Sequence, residues 1–379
     1  MKEETRGKLR ESALALFSSG WYEDVSVAQI CRSAGLSNGI FYFYYPDKEA
    51  IFEELIDDYF SFLEEGLRNL EGTGTRERFD SFYRLFIGIN AAHRRNLAVF
   101  RQGLILHPAY ETRLSGLFQR KLESILHMRL SPGTVIFLVS GIRFLMYRSF
   151  STGLPLAVDA FLQLMWNGVF SIGTEDFLRV FREEVREVPE DEEPKTVRER
   201  IVRAGRALFL ERGFHGVNVL EIVRSLGISV GSFYFHVSGK KELESAVITS
   251  IGHNLRRFIN INVGIRISRF EQELRGWYLF IEYFRGNPRG YRLIREAEFV
   301  VPETVKEYYD RLEAGYVKNL KDLRIEDRVT AANLLLGVAS YVGIRVLFME
   351  SRDALVSILE EISGCLIGGI GGLVSGQDA

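Results

Sequence analysis

The amino-acid sequence predicts an all-α protein built from two tandem copies of one helical unit. Apolar residues recur three and four positions apart, and runs that alternate with a period of two are absent, which is typical of helices. Residues 30–43 and 222–235 are identical at nine of fourteen positions, at a constant offset of 192. Two copies of this length account for nearly all 379 residues, so we interpret the chain as a tandem duplication.

The composition excludes several classes of protein. Hydrophobic residues make up 46% of the chain and charged residues 26%, which excludes a disordered protein. The formal net charge of −2 gives no general positive field, so any binding of nucleic acid must depend on a local patch. Two cysteines are too few for a disulfide framework or a thiolate metal site, and we expect neither a cofactor nor a metal.

The sequence also favours a location in the cytoplasm. A reducing compartment suits the two cysteines, and the charged residues that follow Met1 lack the apolar core of a signal peptide. Uncharged stretches such as residues 160–174 exist, but we expect none to provide the roughly 20 apolar residues of a membrane span. The expectation is therefore a soluble protein that does not bind a membrane.

A helix-turn-helix motif is indicated in the first copy. Ser26 followed by Gln29 is a capping box, in which the serine side chain accepts from a free amide and the glutamine reaches back. Gly35 supplies the left-handed residue that ends this helix, and Ser37 is expected to cap a second short helix that begins at Asn38. Two helices joined by a short turn that contains glycine describe the motif.

The second copy repeats this pattern. Asn218 and Glu221 form the capping box, Gly227 ends the first helix, and Ser229 precedes the second. Two occurrences at matching spacing make a stronger signal than one.

The second helix of each motif has features of a surface that approaches DNA. Gly39 and Gly231 lie in its first turn, where glycine destabilises a helix by about 1 kcal/mol relative to alanine but allows close approach of another backbone. The aromatic clusters that follow, FYFYY and FYFHV, are too dense for one buried face. Alternate members must therefore point outward, where a tyrosine hydroxyl or a histidine can donate to a phosphate oxygen.

We assign the aromatic residues of these clusters to two environments. The core is expected to contain Phe41, Phe43, Phe233 and Phe235. Phosphate contact is expected for the intervening tyrosines and histidine, and the lysines that begin the next helix are interpreted as phosphate ligands rather than ordinary surface charges. The full set of expected DNA contacts is Ser26, Gln29, Ser37, Asn38, Gly39, Ile40, Tyr42, Tyr44, Lys48, Asn218, Glu221, Ser229, Val230, Gly231, Ser232, Tyr234, His236 and Lys240.

These motifs resemble those of the tetracycline-repressor (TetR) family. The pattern S-x-G-x-F-Y-x-Y/H-x-x-x-K follows a capped helix and a short AG or LG turn, and the resemblance covers residues 5–60 and 197–252. It implies that each copy is a three-helix DNA-binding head followed by a helical effector-binding and dimerisation domain. The family's usual phenylalanine after the histidine or tyrosine is Tyr45 in the first copy and Val237 in the second.

The resemblance and an acidic, proline-containing segment together set the expected domain boundaries. Seven acidic residues and two prolines lie in residues 183–195, which we interpret as a solvated tether. The expected divisions are a first head at 1–48, a first effector domain at 49–185, an acidic linker at 186–195, a second head at 196–240 and a second effector domain at 241–379.

The resemblance further implies a pseudo-dimer within one chain. Family members usually bind DNA as homodimers that meet through the last two helices of each effector domain. Segments 132–149 and 155–170 of the first copy are therefore expected to pack against 328–349 and 353–370 of the second, since both pairs are nearly uncharged on one face. Further association of two chains remains open.

The two heads differ in charge and in the side chains expected to contact bases. Residues 5–50 contain five basic and five acidic residues, whereas residues 195–242 contain nine and four. The second head should thus contribute more of the salt-dependent affinity. The base-reading residues are expected to be Gln29, Asn38 and Ile40 in one head and Glu221, Val230 and Ser232 in the other. These side chains favour different bases, which predicts an imperfect palindrome unless they touch nothing and differ by drift.

The effector regions are rich in aromatic residues, which could enclose an apolar ligand, although most aromatic residues at helical spacing belong to a core. Arg143 and Arg345 interrupt apolar stretches and are interpreted either as paired structural charges or as anchors for an acidic ligand. The expected pocket residues are Tyr83, Phe86, Phe100, Phe137, Phe144, Trp166, Trp277, Phe280, Phe284, Phe299 and Tyr341.

Catalysis is not expected. The six histidines are scattered singly, without the spacing of metal ligands, and Cys31 is predicted on the buried side of a helix. The sequence instead favours a transcriptional regulator, by resemblance a repressor released by a small apolar ligand. The alternative is a ligand-sensing or partner-binding module of the same fold in which one or both heads no longer bind an operator.

Overall fold

Helices form all the regular structure in the described part of the chain. The computed structural model describes residues 2–171, 173, 176–188, 193–264, 267–349 and 354–375, and no strand occurs among them. The predicted all-α class is confirmed. Residues 189–192 of the expected acidic linker, and residue 353 at the start of the last predicted segment, lie outside the described residues.

The chain divides into two units between His127 and Met128. The first unit contains a short 3₁₀ turn at Tyr22–Asp24 and seven α-helices among its described residues. These are α1 (Lys2–Ser19), α2 (Val27–Ala34), α3 (Asn38–Tyr44), α4 (Lys48–Gly66), α5 (Thr75–Ala92), α6 (Arg94–Leu106) and α7 (Ala109–Leu126).

Aromatic rings fill the interior of the first unit. The Tyr59 and Phe100 rings stack with their centroids 4.5 Å apart, and the Phe118 ring meets those of Phe82 and Phe86 edge to face at 5.1 and 4.9 Å. All five side chains are buried, and offset or edge-to-face ring pairs of this kind add stability beyond the area they bury. The rings hold α4, α5, α6 and α7 around one core.

The second unit contains the last two helices of the first copy as well as the whole second copy. The expected effector domain at 49–185 is therefore divided between the two units. The helices of the second unit are α8 (Pro132–Thr152), α9 (Val158–Asn167), α10 (Val197–Arg212), α11 (Val219–Leu226), α12 (Val230–His236), α13 (Lys240–Asn262), α14 (Arg269–Arg285), α15 (Pro288–Val300), α16 (Pro302–Asn319), α17 (Arg328–Phe348) and α18 (Ala354–Ser375).

Helices α8 and α9 pack against α17 and α18 in a four-helix seam, the arrangement expected from the sequence. Helices α8 and α17 cross where Gly141 faces Gly337. A Cβ atom on Gly337 would lie 2.8 Å from the Cβ of Phe144 and 3.0 Å from the carbonyl oxygen of Ser140. Since these distances leave no room for a side chain, the two backbones meet at a position that only glycine permits.

Hydrogen bonds between the two copies supplement this packing. The backbone N–H groups of Val169 and Phe170 both donate to the carbonyl oxygen of Leu366, at 2.7 and 2.9 Å. The N–H of Gly133, in the first turn of α8, donates to Glu361 Oε2 at 2.6 Å. These bonds fix the register of one copy's helices against the other's.

One expectation from the sequence, that no stretch is apolar enough to span a membrane, is wrong. Three helices, α8, α17 and α18, are long and apolar enough to cross a membrane by length and composition, whereas the sequence analysis expected no such stretch. Their most apolar windows are 78%, 83% and 50% buried within the protein. Uncharged runs do not identify these helices, because α8 and α17 reach a high mean hydropathy although each contains arginine.

Arg143 and Arg345 lie in different environments. Arg143 lies in the middle of α8, buried, with its guanidinium 4.0 Å from the ring centroid of Tyr341, whereas Arg345 lies in the last turn of α17. A second arginine of α8, Arg148, donates to Asp310 Oδ1 at 2.5 Å and to Glu313 Oε2 at 3.1 Å, both on α16. A charged network thus joins the first copy's α8 to the second copy's α16.

The glycine crossing leads to a test of the seam. We expect Gly337→Ala to lower the free energy of unfolding by about 1–3 kcal/mol, because the added methyl group overlaps the backbone of α8. Gly364→Ala is the matched control on α18, since Gly364 is exposed and its Cβ would meet nothing within 4 Å. This control should be neutral or stabilise the helix by up to about 1 kcal/mol. Equal denaturation midpoints for the two variants would contradict the close crossing.

Candidate nucleic-acid interface

The first helix-turn-helix forms as its capping residues predict. The Gln29 N–H donates to Ser26 Oγ at 3.2 Å, and the Ser26 N–H donates to Gln29 Oε1 at 2.7 Å. Gly35 ends α2 in the left-handed conformation, with φ +67°. Ser37 precedes α3, but its side chain makes no capping hydrogen bond, so the cap expected there is absent from the structure.

The second helix-turn-helix has the same geometry and one additional cap. The Glu221 N–H donates to Asn218 Oδ1 at 3.0 Å, and Gly227 ends α11 with φ +65°. Here Ser229 does cap the next helix, because its Oγ accepts from the Ser232 N–H at 3.0 Å. The two motifs therefore present α3 and α12 on equivalent supports.

Two of the expected base-reading side chains are already engaged. Gln29 Oε1 also accepts from the Ser26 hydroxyl at 2.8 Å, which completes the capping box. The Glu221 carboxylate accepts from the Asn218 N–H at 2.8 Å and from Arg212 Nη1 at 2.6 Å. These two partners lower the pKa of Glu221 and keep it ionised. Either side chain would have to leave its cap to reach a base.

The outer faces of α3 and α12 carry exposed aromatic and apolar residues. Tyr42 and Tyr234 are 59% and 52% exposed, as the sequence analysis expects, and Ile40 and Val230 lie on the same open side. Ser37, Asn38, Gly39, Ser229 and Gly231 are likewise exposed, while Tyr44, Ser232 and His236 are half-buried.

Phe43 and Phe235 were assigned to the core, and this assignment was wrong. Their side chains are 66% and 84% exposed, whereas Phe41 and Phe233 are fully buried. Residues two apart in a helix point about 200° apart, so they cannot share a face. Helical periodicity was the signal that could have identified these two phenylalanines as surface residues.

The residues four positions after the buried phenylalanines complete the inward face. Tyr45 and Val237 are both buried, so the departure of the second copy from the family's phenylalanine occurs at a core position. Burial raises the pKa of Tyr45 to about 12, and its hydroxyl accepts from Arg6 Nε at 3.3 Å. Val237 has no such hydroxyl, and Arg198 pairs with Glu242 at 3.1 Å instead.

The two candidate phosphate-binding lysines point toward the loop before the capped helix. Lys48 Nζ donates to the carbonyl oxygens of Tyr22 and Val25 at 2.8 Å each, and it lies 3.9 Å from the Tyr22 ring centroid. Burial lowers the pKa of Lys48. Lys240 Nζ lies 4.1 Å from the ring centroid of Phe214. An ammonium has three N–H donors, and these two carbonyl oxygens accept from two of them.

Much of the positive charge of the second head lies on its first helix. Helix α10 carries five of the nine basic residues counted between 195 and 242. Arg198, Arg203 and Arg206 line a groove between α10 and α13. Helix α12 itself carries one basic side chain, His236, so most of the positive charge of the second head lies outside α12.

The expected effector-pocket residues separate into three groups. Trp277 and Phe280 line a cavity of about 290 Å³ in the second unit. Phe144 and Phe284 lie in the next layer, where their rings contact those of Tyr309 and Tyr291. The other residues do not line this cavity. The aromatic core of the first unit contains Tyr83, Phe86 and Phe100. In the second unit Phe137 is buried in α8, Tyr341 packs against the Arg143 guanidinium, and Trp166 and Phe299 are half-buried.

Comparison with known proteins supplies an independent result. The family described as bacterial regulatory proteins, tetR family, matches residues 9–55 and 201–247, which are the two helix-turn-helix regions. An uncharacterized HTH-type transcriptional regulator, YxbF of Bacillus subtilis strain 168, is 21% identical over 377 residues, covering 90% of this chain and 92% of its own length.

Two further matches cover a smaller part of this chain. The HTH-type transcriptional regulator YdgC of the same strain is 41% identical over 58 residues, which cover 15% of this chain and 30% of YdgC. The crystal structure of a TetR-like transcriptional regulator from Rhodococcus sp. RHA1 is 25% identical with a TM-score of 0.38, covering 46% of this chain and 97% of that one.

Proposed function

This chain belongs to the tetR family of bacterial regulatory proteins and carries the family's DNA-binding domain twice, and from this premise we propose that both heads bind one operator. A single polypeptide then takes the place of a homodimer. The chain is a helix-turn-helix transcriptional regulator, and membership of the family implies a double-stranded DNA operator and a small-molecule effector. Repression that the effector relieves, in the cytoplasm, is the mode of action we propose.

The four-helix seam is the observation that supports this proposal. The helices that pack together, α8 and α9 against α17 and α18, are the last two of each copy. They occupy the places at which two separate family members are expected to meet. Because the halves are covalently joined, the local concentration of each for the other is about millimolar or higher, so folding and assembly become one event.

The two recognition helices support an operator with unlike half-sites. Asn38 and Ile40 are exposed on α3, and Val230 is exposed with Ser232 half-buried on α12. Asparagine can pair with adenine through two hydrogen bonds, whereas valine can contact only a thymine methyl group. Since Gln29 and Glu221 are held in their capping boxes, we assign base reading mainly to these four residues.

Selection from random-sequence DNA tests this assignment. We expect the recovered site to contain two related half-sites that differ at the bases facing Asn38 and Val230. The double variant Val230→Asn, Ser232→Ile gives the second helix the reading residues of the first, and it should select a more symmetric site. A symmetric site selected by the unaltered chain would contradict unlike reading heads.

A second candidate function is a regulator in which only the first head binds an operator. One difference in the second head favours it. Asp47 caps α4 by accepting from the Ala50 N–H at 2.9 Å, whereas Gly239 at the matching position offers α13 no side-chain cap. The Glu242 side chain, which accepts from the Ser238 N–H at 2.6 Å, holds this turn instead.

Substitution of the exposed tyrosines separates the two candidates. We expect Tyr42→Ala and Tyr234→Ala each to weaken binding to the upstream region of the chain's own gene by about tenfold or more, because each removes a charge-assisted bond to a phosphate. Gel-shift titration measures the affinities, and unchanged thermal melting shows that both variants fold. Tyr42→Phe and Tyr234→Phe are matched controls that remove only the hydroxyls. Loss in the Tyr42 variants alone would favour the one-head candidate.

A further inference from the structure

We propose that the second copy holds an effector site for a small apolar carboxylic acid, whose carboxylate binds the guanidinium of Arg256 and the hydroxyl group of Tyr308. The inference deepens the proposed function, since it rests on the presence of an effector. The site is a cavity of about 290 Å³ among α13, α14, α16 and α17. This volume lies near the lower end of the range for small-molecule sites, so the ligand must be small.

Arg256 is a cation without a counter-ion at this cavity. It lies half-buried on α13, and none of the described residues forms a hydrogen bond or an ion pair with its guanidinium. Burial lowers the pKa of Arg256, and the nearby charge of Arg311, which itself pairs with Glu307 at 3.5 Å, acts in the same direction. A bound carboxylate offsets both effects, because a guanidinium donates two parallel hydrogen bonds to it.

The hydroxyl group of Tyr308 is a second polar group that lacks a partner. Tyr308 lies on α16, lines the same cavity and is 6% exposed. Its hydroxyl forms no hydrogen bond within the part of the chain that the structure describes. Burial raises the pKa of Tyr308, so the hydroxyl stays protonated and remains a donor. A carboxylate oxygen that accepts from it completes its hydrogen bonding.

A glycine of α13 brings these two polar groups together. A Cβ atom on Gly252 would lie 2.6 Å from Cδ2 of Tyr308 and 3.3 Å from Nη1 of Arg256. The edge of the tyrosine ring and the guanidinium therefore lie against the same point of the helix backbone. One carboxylate, which has two oxygens, has acceptors enough for both groups.

The other charged group inside the cavity is already engaged. Glu273 is the only carboxylate among the described residues that line it. Its Oε2 accepts from Arg269 Nη2 at 2.7 Å, and the side chains of Tyr316 and Trp277 also form hydrogen bonds with it. Glu273 thus has its partners within the protein, which leaves the positive charge of Arg256 for an anionic ligand.

Apolar side chains form most of the remaining wall. They include Leu255, Ile259, Phe280, Ile294 and Leu336. Contact with this surface favours an apolar body next to the carboxylate over a small polar anion, because burying apolar surface is the main source of affinity in such sites.

Helix α13 aligns with α4 of the first copy at the offset found in the heads. Lys48 and Lys240 begin the two helices, 192 residues apart. Buried residues recur at this offset along both helices, at 51, 55, 56, 59 and 63 in α4 and at 243, 247, 248, 251 and 255 in α13. The alignment places Glu64 opposite Arg256 and Phe60 opposite Gly252.

The first copy therefore lacks the elements of the site. Glu64 carries the opposite charge to Arg256 and is exposed. Phe60 is fully buried, and its ring meets that of Phe100 edge to face at 5.4 Å, so a side chain occupies the position that Gly252 leaves open. We expect one ligand for each chain.

Helix α16 connects the site to the first copy. Tyr309, next to Tyr308, also lines the cavity, and its ring contacts those of Phe144 and Tyr147 on α8, with centroids 5.1 and 5.7 Å apart. A ligand that moves α16 therefore acts on a helix of each copy.

Calorimetric titration of the full chain, without DNA, tests the proposal with four probes. The apolar acid is 3-phenylpropionate; 3-phenylpropionamide and 3-phenylpropylamine keep its ring without the negative charge, and acetate keeps the charge without the ring. We expect one 3-phenylpropionate per chain, bound about tenfold or more tighter than the amide, because hydrogen bonds to a charged group are the stronger ones. The amine and acetate should not bind. Two molecules of acid per chain, equal affinity for acid and amide, preference for the amine or acetate, or no binding of 3-phenylpropionate would overturn the proposal.

Substitutions in α13 and α16 make the test specific to the site. Arg256→Met should weaken 3-phenylpropionate by about tenfold or more and leave the amide unchanged. Tyr308→Phe keeps the ring against Gly252 and removes one hydrogen bond, so it should weaken the acid by about threefold or more. Arg257→Met is the matched control, because Arg257 is exposed and lines the groove between α10 and α13 instead, and it should bind the acid as the unaltered chain does.

Thermal melting shows which variants fold. Unaltered acid binding in a folded Arg256→Met or Tyr308→Phe, or an equal loss in Arg257→Met, would contradict the assignment. Operator binding is measured separately by gel shift, so failure of the ligand inference and failure of the two-head proposal are distinguishable.

Discussion

The close crossing of α8 and α17 is the constraint on which the rest of the structure depends. Glycine at positions 141 and 337 lets two backbones meet, and the apolar faces of the four seam helices are buried as a result. As a result, α8 and α9 of the first copy lie in the same unit as the whole second copy. The last two helices of both copies therefore form one four-helix bundle within the second unit.

Local signals in the sequence predicted the heads well, because caps and turns depend on neighbouring residues. The capping boxes at Ser26 and Asn218 and the left-handed Gly35 and Gly227 all formed as expected. The prediction that Phe43 is buried was wrong, because the composition of an aromatic cluster does not show which of its residues share a face of the helix. The engagement of Lys48 with backbone carbonyls could not be predicted, since it depends on how the 3₁₀ turn folds back.

The effector region was harder to predict, because its two copies have drifted in register. The offset is 192 in the heads, 194 between Glu77 and Glu271 in the first turns of α5 and α14, and 196 between the residues that cap α8 and α17. A single offset taken from the heads therefore does not pair equivalent residues in the later helices. Aromatic composition identified Trp277 and Phe280 as residues that line a cavity, but a cavity is a property of packing, and composition does not show where packing leaves space.

The number of chains on one operator tests the central claim most directly. Sedimentation equilibrium of the chain with a duplex that carries a single selected site measures this ratio without labels. We expect one polypeptide on each duplex, with both of its helix-turn-helix motifs bound to DNA. Two polypeptides on one duplex, or one polypeptide that joins two separate duplexes, would show that the halves do not act together as a pair.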